Sequence, residues 1–141
     1  MAAALTIALA AAVGERAALI VSGAAPPARM DRATVITPSE GPPVVLYAAT
    51  NATDQPLDQF TVTAFVFKAD GTLKARQVAP GRRTLGPQET KYSTLVLDGI
   101  PIDPTDVIVV GIDQVQRAGS DDWWRTDLQP AAEAAVPRKP R

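Results

Sequence analysis

Between Asp31 and Leu128 the apolar side chains come in short alternating runs, each closed by turn residues. The clearest is FTVTAFVFK (60–68), with Phe60, Val62, Ala64 and Val66 in one row and Thr61, Thr63, Phe65 and Phe67 in the other. Successive side chains of a strand point to opposite faces, so apolar bulk in both rows predicts a central strand. Asp70-Gly71 then supplies a hairpin turn, because glycine accepts a positive φ without a Cβ clash. TLKARQVA (72–79) returns with the mixed polarity of a more exposed strand. RATVIT (32–37), VVLYAAT (44–50), KYSTLVL (91–97), VIVVGIDQVQ (107–116) and WWRTDL (123–128) complete the set. In KYSTLVL, Tyr92, Thr94 and Val96 oppose Ser93, Leu95 and Leu97. Seven strands spaced by roughly ten residues, with no ten-residue helical stripe between them, predict an all-β antiparallel sandwich. A small open barrel is the alternative that strand count leaves standing.

The run NATDQPLDQFTVTAFVFKADGTL, followed after a polar spacer by LGPQETKYSTLVL, resembles bacterial FxLYD-like and related immunoglobulin-like accessory domains. An Asn/Ser turn, a long strand, an Asp-Gly hairpin and an L-x-P-G-x-x turn follow one another in that pattern. Leu85, Pro87 and Glu89 match the last turn, whereas Gln88 stands where glycine is commoner. The resemblance covers residues 43–116. It implies an immunoglobulin-like β-sandwich of about seven strands in an extracytoplasmic setting, and it transfers no active site.

The two ends have a different texture. Residues 2–13 form an uninterrupted run of small and apolar residues, Gly14-Glu15-Arg16 breaks it, and a second run follows at 17–21. Ser22–Ala25 offers small residues to a signal peptidase, with Pro26-Pro27 opening the chain beyond, although no basic residue precedes the first run. Neither run reaches the 18 or so apolar residues of a spanning helix, and Glu15-Arg16 would lie in its middle, which argues against membrane anchoring. Residues 1–30 are therefore expected to be a signal peptide or a disordered extension, with 31–128 the sandwich domain. The stretch QPAAEAAVPRKPR (129–141) shows two prolines around a basic cluster and no periodic face, so a disordered tail is expected there.

Composition narrows the chemistry. The chain of 141 residues has no cysteine and no histidine, which removes disulfides, thiolate nucleophiles, Ser-His-Asp triads and the usual zinc ligands. Within 31–128, 9 basic and 13 acidic side chains leave a mildly acidic domain with no broad attraction for nucleic acid. DPTD (103–106) and SDD (120–122) lack the alternating ligands of a calcium loop, and no cofactor motif is present. Asn51-Ala52-Thr53 matches a glycosylation acceptor, but turn formation is the preferred reading of that asparagine.

Candidate contact residues remain. Trp123 and Trp124 are adjacent on a strand, so one ring should enter the core while the other faces outward beside Arg125. Lys74 and Arg76 share a face of the return strand, with Arg82, Arg83 and Lys91 nearby; a charged edge also serves simply to block sheet-to-sheet aggregation. Asp113, Asp121 and Asp122 lie close to the tryptophans in sequence, the only arrangement suggesting a carbohydrate site or a weak hydrolytic carboxylate pair. The expected function is a noncatalytic, periplasmic or secreted interaction or structural accessory domain with a protein partner. The alternative is a carbohydrate-binding or weakly hydrolytic sandwich. Trp123, Trp124, Arg125, Lys74 and Arg76 are the expected partner-binding residues.

Overall fold

The structure is a computed structural model and describes residues 12–81 and 84–137. Among the described residues there are two separate sheets, with no barrel closure, and one short helix. Nine strands are present among the described residues: β1 (Ala12–Ala17), β2 (Leu19–Ile20), β3 (Ala28–Pro38), β4 (Val44–Asn51), β5 (Leu57–Phe67), β6 (Leu73–Pro80), β7 (Thr90–Val96), β8 (Val107–Arg117) and β9 (Trp123–Arg125). Each of the seven expected strands has its counterpart in β3 to β9. Sheet A runs β1-β3-β4-β7 and sheet B runs β2-β8-β5-β6, with β9 also on β8.

The alternation read from the sequence decides which side chains lie between the sheets. Val35, Val45, Tyr47 and Leu95 enter from sheet A and meet Phe60, Val62, Val66, Ile108, Val110 and Ile112 from sheet B. Strand β5 is central, paired antiparallel with both β6 and β8, as apolar bulk on both faces predicts. Its second face is buried too, since Phe65, Phe67 and Val109 form another cluster on the outside of sheet B. The hairpin after β5 turns at Gly71, whose φ of 91° suits a residue without Cβ. There the Asp70 carboxylate accepts the N–H of Thr72 at 2.9 Å.

Both ends differ from the sequence expectation. The sheets begin well before residue 31: β1 pairs antiparallel with β3, and β2 pairs parallel with β8 through Leu19↔Val109 and Ile20↔Val110. AVGERA and LI are too short to carry a clear alternation of their own, and their partners impose the extended form. Cleavage within Ser22–Ala25 would strip β1 and β2 from the sandwich. The stretch after Leu128 likewise carries secondary structure, a helix α1 (Gln129–Ala135). Leu128, Ala132 and Val136 stand at i, i+4 and i+8 and are buried against Phe65, Phe67 and Val109. Gly111 of β8 makes room for this docking, because a Cβ there would lie 2.5 Å from the Val21 carbonyl oxygen and 2.8 Å from Leu128 Cδ1. The basic end 138–141 lies outside the described residues.

Candidate interaction surface

The two tryptophans occupy opposite faces of β9. Trp124 packs against the inter-sheet core, and its indole Nε1 donates to the Ala24 carbonyl at 3.2 Å, so it covers the folded-back N-terminal segment. Trp123 points the other way and lies under the Arg125 guanidinium, 5.6 Å from its ring centroid. Both rings are half-buried. The nearby carboxylates do not converge on them. Asp113 is buried at a bulge in β8 and accepts the Thr61 hydroxyl at 2.6 Å; Asp121 and Asp122 are exposed, with Asp122 paired to Arg117 at 3.0 Å.

The Lys74–Arg76 face is occupied from within. Lys74 Nζ binds Asp106 Oδ2 at 2.7 Å and Asp103 Oδ2 at 3.2 Å. Burial alone would raise the Asp106 pKa, but the Lys74 ammonium, the Asp103 N–H and the more distant Arg16 charge outweigh it and hold Asp106 below the ordinary carboxylate value. The same Asp106 hydrogen bond raises Lys74. Arg76 lies over the Phe65 ring at 5.3 Å and donates to Gln129 Oε1 at 3.3 Å, tying β6 to helix α1. Arg82 and Arg83 lie outside the described residues, while Lys91 donates to the Thr84 carbonyl at 2.7 Å. Lys74, Arg76 and Lys91 are thus engaged by other parts of the fold.

Beside this cluster, β1 and the 102–104 loop border an open cleft of about 320 Å³. Arg16 at its rim spends its guanidinium on the carbonyls of Pro104 and Asp103, at 2.7 and 3.2 Å. No group of three or more acidic side chains among the described residues is arranged to hold a metal ion.

Asn51 is fully buried and entirely used. Its Nδ2 donates to the carbonyls of Gln55, Leu85 and Gly86, and its Oδ1 accepts the N–H and hydroxyl of Thr53. This asparagine staples the 51–55 turn to the 85–86 turn, the structural role the sequence favoured over glycosylation. In the second turn Glu89 Oε1 accepts the Gly86 N–H at 2.8 Å and Gln88 has φ 60°. Gln88 thus adopts the left-handed conformation for which glycine is better suited.

An open apolar surface lies on sheet A. Its outward row carries Ile36 and Val44, half-buried, together with Leu46, Val96 and Tyr92, which are 38%, 41% and 59% exposed. The register brings Val44 opposite both Ile36 and Val96, Leu46 opposite Thr94, and Ala48 opposite Tyr92, making one continuous strip across three strands. The alternation of Tyr92, Thr94 and Val96 was readable in the sequence. Which of the two sheets would be covered was not, because the cover on sheet B comes from the short, alanine-rich α1.

Comparison of the chain with family models, with curated proteins and with solved structures gave no match. No helix among the described residues is long and apolar enough to cross a membrane.

Proposed function

We propose that the chain is a noncatalytic, immunoglobulin-like interaction domain that engages a protein partner through sheet A. The observation carrying this reading is the asymmetry between the two outer faces. Helix α1 buries Phe65, Phe67 and Val109 on the outside of sheet B, where exposed large apolar side chains among the described residues remain only on the outer strands β2 and β6 (Leu19, Ile20 and Val78), whereas Leu46, Tyr92 and Val96 stay exposed across the middle and edge of sheet A. A polar-rimmed apolar strip of this kind is a common mark of protein contact surfaces.

The immunoglobulin-like part of the proposal draws on strand order. Lettered in chain order, β3 to β9 become A, B, C, C′, E, F and G, giving sheets A-B-E and C′-C-F-G. Strands β1 and β2 are then additions at the N-terminal side. The resemblance to FxLYD-like accessory domains stays within the proposal and gains a physical point of contact in the αL geometry of Gln88. An extracytoplasmic setting also belongs to the proposal, with the mature domain retaining residues 12 onward because β1 and β2 are built into the sheets. The carbohydrate alternative has less support, since Asp113 is buried against Thr61 and Asp122 is held by Arg117.

A photo-cross-linking residue placed at Leu46, and separately at Trp123, tests this in cells of the source organism after fractionation. The expected result is a discrete protein adduct from position 46, recovered in the extracytoplasmic fraction with residues 12–20 still attached. Adducts confined to position 123 would overturn the sheet A assignment.

A further inference from the structure

We infer that the partner of sheet A is a second copy of this chain, joined by antiparallel pairing of β7 with β7 about a two-fold axis through Tyr92. This deepens the proposed function and rests on it. The argument begins with backbone direction. In an antiparallel pair, residues alternate between those whose N–H and C=O both face the partner strand and those whose groups face away. Asn51 N–H donates to Glu89 O, and Leu97 N–H donates to Pro43 O, in the same ladder as Tyr47↔Ser93. The odd-numbered residues of β7 therefore face β4. The even-numbered ones, Thr90, Tyr92, Thr94 and Val96, present their backbone groups at the edge of sheet A. Val96 O is already taken by the Gln77 side chain, consistent with this orientation, which leaves Thr90, Tyr92 and Thr94.

That row is its own complement. A two-fold axis at Tyr92 brings Tyr92 opposite its copy and Thr90 opposite Thr94, with every outward donor facing an outward acceptor. Aromatic–aromatic and Thr–Thr pairs are among the favourable cross-strand combinations. In the intervening row Lys91 falls opposite Ser93, so like charges are not forced together. Lys91 is also held near Glu89 at 3.7 Å.

The β6 edge is guarded, and β7 is not. Gly81 N–H donates to Phe60 O, so the same alternation turns the backbone of Arg76, Val78 and Pro80 outward on β6. That row contains an arginine and a proline, the residues that discourage edge pairing. The outer edge of β8 is occupied by β2 and β9. The Thr-Tyr-Thr row of β7 carries neither charge nor proline. Pairing it with its copy would join two sheets A into one eight-stranded sheet, and its outer strip would cross the seam.

Sedimentation equilibrium over a concentration series, on the full chain, measures the association directly. Thr94→Pro deletes an outward N–H without touching the bonds to β4, and Tyr92→Lys sets like charges opposite one another. Each should raise the dimer dissociation constant roughly tenfold or more while the monomer keeps its circular dichroism spectrum. Because the chain has no cysteine, Tyr92→Cys gives a clean third readout. Thiols facing each other on the axis should oxidise to a covalent dimer, whereas Val78→Cys on the guarded edge should not. A chain that stays monomeric, and whose Tyr92→Cys variant forms no disulfide-linked dimer, overturns the inference, as does a dimer indifferent to both Thr94→Pro and Tyr92→Lys. If such a monomer still gives the Leu46 adduct with a different protein, self-pairing has failed and the interaction reading has survived.

Discussion

Leu128→Ala asks whether the C-terminal segment is a working part of the fold. The leucine is 1% exposed, packed with Phe65, Phe67, Val109, Ala132 and Val136. Truncation removes the equivalent of three buried carbon groups, about 2.4 kcal/mol at ~0.8 kcal/mol each. A cavity that relaxes only partly adds to this, and Leu→Ala substitutions in well-packed sites cost about 3–5 kcal/mol in total. The lower end applies here, because a helix of seven residues can shift against the sheet to close part of the cavity, so a loss of about 3 kcal/mol is expected. With a urea slope of ~2 kcal/mol per molar for a domain of this size, the midpoint should fall by roughly 1.5 M. Val78→Ala, at a position 51% exposed, is the reference and should move the midpoint little. A Leu128→Ala shift no larger than that of Val78→Ala would refute the docking of residues 128–136 on sheet B. The second core, and with it the asymmetry between the two sheets, would then have to be abandoned.

Asn51→Ala removes the side-chain donor from three carbonyls that each keep one other partner and leaves the Thr53 N–H without its acceptor, so it should cost about 2 kcal/mol by urea unfolding; a loss under ~0.5 kcal/mol would show that water replaces the staple without penalty. Asp106 has its folded pKa depressed below 3.8, so its stabilisation is present above that value and is lost as pH falls through the folded pKa. Lys74 is raised above 10.5, so its contribution is present below that value and is lost as pH rises through the raised pKa. Asp106→Asn should accordingly flatten the acid limb of the stability–pH curve, and an unchanged limb would count against the ion pair. Gln88→Gly relieves a left-handed residue worth about 1 kcal/mol at the expense of one exposed hydrogen bond to the Thr53 carbonyl, so the melting temperature should hold or rise; a clear fall would contradict the assigned turn geometry.

What the sequence revealed depended on whether a segment's structure is decided locally. Strands β3 to β9 carry alternation, as in β5 and β7, or short apolar β-branched runs, as in β4 and β8, and are separated by turns with chemical signatures, such as Asp70-Gly71, so pattern and punctuation located them. Strands β1 and β2 have no such rhythm. Their extended form comes from pairing with β3 and β8 rather than from their own residues. Helix α1 was hidden differently. Its stripe of Leu128, Ala132 and Val136 is thin, alanine supplies its middle, and it has no side-chain N-cap. Among the contact residues, local alternation was enough to give Trp123 and Trp124 opposite roles, but not to say which ring turns inward. The Lys74–Arg76 pair looked available because the groups that occupy it, Asp103, Asp106, Phe65 and Gln129, come from other places in the chain. Tyr92 and Leu46 became notable only once the cover on sheet B was known.

The parallel seam between β2 and β8 bears on how the protein is made. Leu19 must wait for Val109, so sheet B cannot be completed while the chain is still being synthesised from its first half. Parallel pairing across so long a separation carries a large loop-closure cost before any contact repays it, and folding dominated by such pairings is slow. During that delay β2 has no seat, although β1 can already pair with β3, and the stretch of β8 at Val109 and Val110 has no occupant on its outer edge. A cell that produces this chain in quantity therefore faces its aggregation hazard in the interval between translation and closure, when a holding chaperone would have its greatest effect.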